Sequence, residues 1–142
     1  MPLERLGAAS SRLPSVLIVD GDDDTRFLYR TILEPVAGSI LEADDGAAAL
    51  ITAAATHPDV IITETRLRRL DGYTLCERLK ADPDTSSSLR LVVTGSAQTS
   101  DLVHAKASGA DQLLIKPCTP EVLRATVVEM WSHRRTSDGE ES

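Results

Sequence analysis

The stretch Asp59-Val-Ile-Ile-Thr-Glu64 constrains this chain most: an apolar run, Val60 to Ile62, stops at an acid, and an irregular loop follows before Asp71-Gly72 opens an amphipathic segment. A short run that is apolar at every position suits a strand buried on both faces, as in a parallel sheet covered by helices. The same punctuation recurs along the chain. Val16 to Val19 ends at Asp20, Leu89 to Val93 ends at Thr94-Gly95, and Leu113 to Ile115 ends at Lys116-Pro117, with a further strand expected at Ser39 to Ala43.

Helix-period segments fill the intervals. Asp22, Asp23 and Asp24 suit the positive end of a helix dipole and open a segment that runs through Phe27, Leu28, Ile32 and Leu33 to Pro35. An alanine-rich helix is expected over Ala47 to Thr56, with Ala47, Leu50, Ile51 and Ala54 on one stripe, closed by His57-Pro58. The helix carrying Leu75, Cys76 and Leu79 stops at Asp82-Pro83, and Thr99 to Ala107 is closed by Gly109. Thr119 to Trp131 forms the last helix, Leu123, Val127, Met130 and Trp131 being spaced for one buried face.

Strands alternating with helices define an α/β fold, a doubly wound parallel sheet with helices on both faces, and right-handed crossovers leave few topologies. Ligands of such sheets bind beyond the carboxyl ends of the strands. Four chemistry-bearing residues fall there: Asp20, Glu64, Thr94 and Lys116. Each alone is an ordinary strand-end residue; two acids, a hydroxyl and an ammonium together make a site of phosphate or metal scale.

With 142 residues, 42% of them hydrophobic, the chain suits one domain, spanning residues 16–131 between flexible segments at 1–15 and 132–142. A net charge of -7 argues against a nucleic-acid surface, which needs clustered Lys and Arg. No segment has the length or apolarity of a signal peptide or a membrane span, so a cytoplasmic protein is expected. Cys76 and Cys118 lack metal-ligand or redox spacing and read as reduced, packed thiols; His57, His104 and His133 share no spacing or partner acids. The first strand is not followed by a glycine-rich phosphate loop, which counts against a small-molecule enzyme on such a sheet.

These motifs resemble the receiver domain of two-component response regulators over essentially all of Val16 to Trp131. The residues that carry the resemblance are Val-Leu-Ile-Val-Asp20, Glu64 with Leu67 and Asp71-Gly72, Val92-Val93-Thr94-Gly95, Gly109-Ala110-Asp111 and Lys116-Pro117. It implies a flavodoxin-like (βα)5 sheet in order 2-1-3-4-5, in which an aspartate ending the third strand takes a phosphoryl group from a histidine kinase with Mg²⁺ bound. It also implies that Asp20 is the first of an acidic metal-holding pair, that Thr94 closes on the phosphoryl group, that Lys116 is the site lysine, and that Pro117 follows a cis peptide bond.

Against that pattern the chain departs at several positions. Gly21 stands where the second acid belongs, Glu64 stands at the phosphoacceptor, Leu113 replaces the usual aromatic switch and Arg68 replaces the loop proline. Mg²⁺ wants near-octahedral geometry at about 2.0 to 2.1 Å and draws affinity from carboxylates, so Mg²⁺ binding is expected to be weak or absent. Any metal would fall to Asp20, Glu64 and Asp22, although Asp22 suits a solvated helix start better. The extra methylene of Glu64 moves its carboxylate by roughly an ångström, a misplacement that can cost on the order of a hundredfold in rate. It also pushes the carboxylate toward Thr94 and Lys116, where it imitates a phosphoryl group in part, with a charge of about -1 against -1.5 to -2. Arg66, Arg68 and Arg69 crowd the following loop as solvated charges, one of them available to pair with Glu64 or Asp20.

The resulting expectation is a stand-alone, atypical receiver (a pseudo-receiver), not an enzyme, that acts by protein contact. Its partners are signalling proteins, a histidine kinase or a downstream effector, met through Thr99 to Trp131; nucleic acid and membrane are not expected. The alternative is a working phosphoacceptor in a phosphorelay with a rearranged acidic site. An unrelated small-molecule enzyme on the same sheet is a more remote third reading.

Overall fold

The computed structural model describes residues 12–95 and 98–141, with side chains described to 134. Five parallel strands, β1 (Ser15–Val19), β2 (Ser39–Ala43), β3 (Val60–Thr63), β4 (Leu89–Thr94) and β5 (Gln112–Ile115), form one sheet in the order β2-β1-β3-β4-β5. Helices α1 (Asp23–Leu33), α2 (Gly46–Thr56), α3 (Gly72–Ala81), α4 (Thr99–Ala107) and α5 (Pro120–Glu141) connect and cover it, with a short 3-10 turn at Glu34–Val36. This is the flavodoxin-like arrangement.

The pleat sorts each strand between two cores. Val16, Ile18, Val60, Ile62, Leu91 and Val93 face α1 and α5, where Ile32, Leu33, Leu123 and Val127 meet them. Leu17, Val19 and Ile61 point the other way, against Ala49 and Ala53 of α2 and Leu75 and Leu79 of α3. Because successive side chains alternate between faces, an unbroken apolar run feeds both cores at once. Each such Leu, Ile or Val stabilises the fold by roughly 1.5–3 kcal/mol when fully buried.

Several expectations shift. In α1 the buried face is Tyr29, Ile32 and Leu33, whereas Phe27 and Leu28 are exposed. In α2 the buried stripe is Gly46, Ala49 and Ala53, with Leu50 only partly buried and Ile51 72% exposed, instead of Ala47, Leu50, Ile51 and Ala54. Alanine at most positions gives that helix little amphipathic contrast, so the choice of face falls to close packing: a Cβ on Gly46 would lie 2.1 Å from the Leu70 carbonyl oxygen. The last helix continues past Trp131 to Glu141, since no proline interrupts the polar segment read as a tail. Ser15 belongs to β1, and Arg12 is tied to Asp59, so the folded part begins ahead of residue 16; residues 1–11 lie outside the described part. Among the described residues no helix is long and apolar enough to cross a membrane.

Candidate functional site

The parallel ladders run one bond beyond the strands, and that extension builds the site. The backbone N–H of Asp20 donates to the Ala43 carbonyl (3.1 Å), that of Glu64 to Val19 (3.1 Å) and that of Lys116 to Thr94 (2.8 Å). Three residues just past strand ends are thereby held in register with neighbouring strands, and Thr94 closes β4 as a buried hydroxyl. The structure brings Asp20, Glu64, Thr94 and Lys116 together at the carboxyl end of the sheet.

Lys116 Nζ lies 3.3 Å from Glu64 Oε1 and 4.0 Å from Asp20 Oδ2. It forms a cationic bridge between two acids that would otherwise repel. Asp20 is buried, and its Oδ1 accepts the Asp22 N–H at 2.9 Å. Glu64 is partly buried, and its Oε2 accepts the Thr65 N–H at 2.9 Å. Thr65 Oγ1 and Thr94 Oγ1 are 3.3 Å apart. The Lys116–Pro117 peptide bond is cis.

Asp71-Gly72 shapes the loop that presents Glu64. Asp71 caps α3 by accepting the Thr74 N–H at 2.8 Å, and the Gly72 N–H donates to the Thr65 carbonyl at 2.9 Å. A Cβ at position 72 would lie 2.2 Å from the Glu64 carbonyl oxygen, so only glycine lets the start of α3 lie this close. The adjoining crevice, about 750 Å³, is lined by Glu64, Thr65, Arg66, Asp71, Tyr73, Thr94, Gly95, Gln98 and Asp101. Its outer wall carries a feature the sequence reading missed, Tyr73 stacked on His104 with ring centroids 4.0 Å apart. A tyrosine and a histidine separated by a whole βα unit leave no local signal of contact.

The residues present fit Mg²⁺ poorly. Gly21 offers no side chain, although a Cβ there would lie in ordinary contact, 3.7 Å from the nearest atom, the Asp44 carbonyl oxygen. Asp22 is the N-cap of α1: hydrogen bonds from the Thr25 hydroxyl and N–H hold its carboxyl below the usual range and direct it to the helix end. Asp20 and Glu64 already serve backbone N–H groups and Lys116. Among the described residues no group of three or more His, Cys, Asp or Glu is arranged to hold a metal ion.

Of the loop arginines, Arg69 pairs with Asp45 (3.7 Å) rather than with Glu64 or Asp20. The guanidinium beside the acidic site is instead that of Arg26 on α1, whose Nη1 donates to the Asp20 carbonyl at 2.6 Å while its Nε donates to Glu42 at 3.0 Å. Cys76 is buried, which pushes its thiol up to about 12. Trp131 is buried far along the chain, its Nε1 donating to the Arg12 carbonyl.

This chain belongs to the response regulator receiver domain family, whose model matches residues 16–128. It is similar to the DNA-binding dual master transcriptional regulator RpaA of Synechocystis sp., 33% identical over 115 residues that make up 81% of this chain and 48% of RpaA. It is also similar to Protein PilG of Pseudomonas aeruginosa, 30% identical over 79% of this chain and 83% of PilG. The chain spans only 43–48% of the length of RpaA and of the ycf27 transcriptional regulators that it matches. Among solved structures it superposes on the signal receiver domain of a histidine kinase from Syntrophus aciditrophicus (TM-score 0.77, 29% identity, 84% of this chain and 90% of that one). The chemotaxis protein CheY4 of Vibrio cholerae gives a TM-score of 0.77 at 26% identity, covering 82% and 98% of the two chains. The chain is thus a receiver module of two-component signalling.

Proposed function

We propose that this receiver signals by protein contact without taking a phosphoryl group, Glu64 standing at the phosphoacceptor position as a permanent, partial imitation of the phosphorylated state. The observation that carries this reading is the 3.3 Å pair between Glu64 Oε1 and Lys116 Nζ. The carboxylate reaches the ammonium that would otherwise meet a phosphoryl oxygen, so the charge is already in place before any kinase acts. The absence of a side chain at Gly21 supports the same reading, because an in-line phosphoryl transfer needs a cation to neutralise the equatorial oxygens and the acid that would help hold it is missing. Mg²⁺ is accordingly weak or absent as a cofactor. The protein works in the cytoplasm on a signalling partner, a histidine kinase or a downstream effector, through the face from Thr99 to Trp131. That segment includes Val103, Ile115, Val122 and Val128, each more than a third exposed.

The test is chemical. Incubated with acetyl phosphate or phosphoramidate and Mg²⁺, the native chain stays unlabelled on cold phosphate-affinity gels, and calorimetric titration finds no saturable Mg²⁺ binding in the low-millimolar range. Glu64→Asp combined with Gly21→Asp restores Mg²⁺-dependent labelling, while neither single change suffices. Strong labelling of the native chain that disappears in Glu64→Ala would instead make it a working phosphoacceptor.

A further inference from the structure

The geometry points to Thr65 as the positioning residue that holds the Thr94 hydroxyl at the site in the absence of a phosphoryl group; this rests on the reading of Glu64 as the stand-in for that group. Thr65 acts through two of its own groups. Its backbone N–H donates to Glu64 Oε2 at 2.9 Å, which leaves Oε1 turned to Lys116 at 3.3 Å. Its hydroxyl lies 3.3 Å from the Thr94 hydroxyl, and either can be the donor. Lys116 closes the circuit, its backbone N–H donating to the Thr94 carbonyl at 2.8 Å. The ends of β3, β4 and β5 are therefore joined by one chain of polar contacts made entirely of protein atoms.

Position matters as much as contact. Thr94 is 2% exposed and lines the crevice beside Thr65, so turning its hydroxyl away from Thr65 would give up this contact in a place with little access to water. A phosphorylated receiver offers that hydroxyl a phosphoryl oxygen; here it has the Thr65 hydroxyl 3.3 Å away, with either oxygen able to donate. Thr65 is itself fixed, since its carbonyl accepts the Gly72 N–H at 2.9 Å and the glycine has no Cβ to push the loop away. Without the Thr65 hydroxyl, Glu64 would still meet Lys116, but the Thr94 hydroxyl would lose this partner, and the charge at the site would reach the end of β4 only through the Lys116 backbone N–H.

The experiment reads the Thr94 side chain directly. Three-bond carbon–nitrogen and carbon–carbonyl couplings of the Thr94 methyl, measured by NMR on the full chain, report its χ1 rotamer; the variants are Thr65→Val, which keeps the shape and removes the hydroxyl, Thr65→Ala, and Thr65→Ser, which keeps the hydroxyl. Couplings of a single rotamer in the native chain and in Thr65→Ser, with loss of that pattern in Thr65→Val and Thr65→Ala, establish the role. Native couplings retained in both hydroxyl-free variants, or lost in Thr65→Ser, overturn it. The amide spectrum checks that each variant is folded, and Thr65→Ala carries the test should Thr65→Val disturb the loop. No phosphodonor enters the measurement, so labelling of the native chain by acetyl phosphate would sink the reading of Glu64 while leaving the Thr94 rotamer result standing.

Discussion

Single residues decide what this receiver can do, and the sequence exposes them unevenly. Asp20, Glu64, Thr94 and Lys116 are legible because each ends an apolar run, and a run buried on both faces can surface only at the end of its strand. Thr65 and Tyr73 are not, because their partners Thr94 and His104 lie about a βα unit away and no spacing rule connects them. Gly72 lies between these cases: Asp71-Gly72 reads as a helix start, but the reason for glycine appears only when the Glu64 carbonyl is found 2.2 Å from where a Cβ would be. Gly72→Ala is expected to destabilise the fold by about 1–3 kcal/mol, through overpacking against backbone, and to displace Glu64 from Lys116. Urea unfolding measures the first effect. The second shows as a shift of the Lys116 Nζ resonance toward that of a solvated lysine; an unchanged resonance would mean the loop absorbs the methyl without moving the acid.

At the scale of elements, the strands are the best predicted parts and the helix faces the worst. A run such as Val16 to Val19 carries its own burial, whereas α2 offers alanine on nearly every side and its buried stripe is chosen by what α3 and Leu70 leave room for. Strand β4 hides a polar exception to its apolar run. Arg90 is 6% exposed; its Nε donates to the Gly109 carbonyl (2.6 Å), its Nη1 to the Ser88 (2.8 Å) and Ser86 (3.1 Å) carbonyls, and its Nη2 lies 3.6 Å from Asp111. One guanidinium thus ties the loop before β4 to the turn before β5. Arg90→Met keeps the aliphatic stem but strands those carbonyls, and is expected to lower stability by about 3 kcal/mol in urea unfolding. Arg90→Lys should recover only part of the loss, because an ammonium lacks the planar fork that reaches both sides. Equal stability of the native and Met forms would show that water replaces the arginine freely.

For the whole molecule, the end of the sheet away from the site is closed by a clamp that ties the residues just ahead of β1 to the last helix. Arg12 pairs with Asp59 at 3.1 Å, its guanidinium sits 4.8 Å from the Trp131 ring centroid, and its carbonyl accepts the Trp131 Nε1–H at 2.9 Å. Asp59 also accepts the Ser15 N–H at 2.9 Å. Burial alone would raise the Asp59 pKa; the Ser15 N–H and the Arg12 guanidinium outweigh it and hold the carboxyl below its ordinary value. A depressed carboxylate contributes stability that is present above its unfolded pKa, about 3.9, and is lost as pH falls through the lower folded value. The Arg12 side chain is 61% exposed, so the ion pair itself contributes only about 0.2–1 kcal/mol and most of the effect lies in the backbone N–H bond. Asp59→Asn should therefore be less stable than the native chain at neutral pH, and the gap should begin to narrow below about pH 4, as the unfolded carboxyl takes up its proton, and close as the pH falls through the lower folded value. Trp131, the single tryptophan, provides the readout: Arg12→Ala should shift its emission at neutral pH without altering far-UV circular dichroism, and lowering the pH of the native chain should move the emission the same way. A stability gap between native and Asp59→Asn that stays constant from neutral pH down to pH 3 would show that the charge on Asp59 contributes nothing to the clamp.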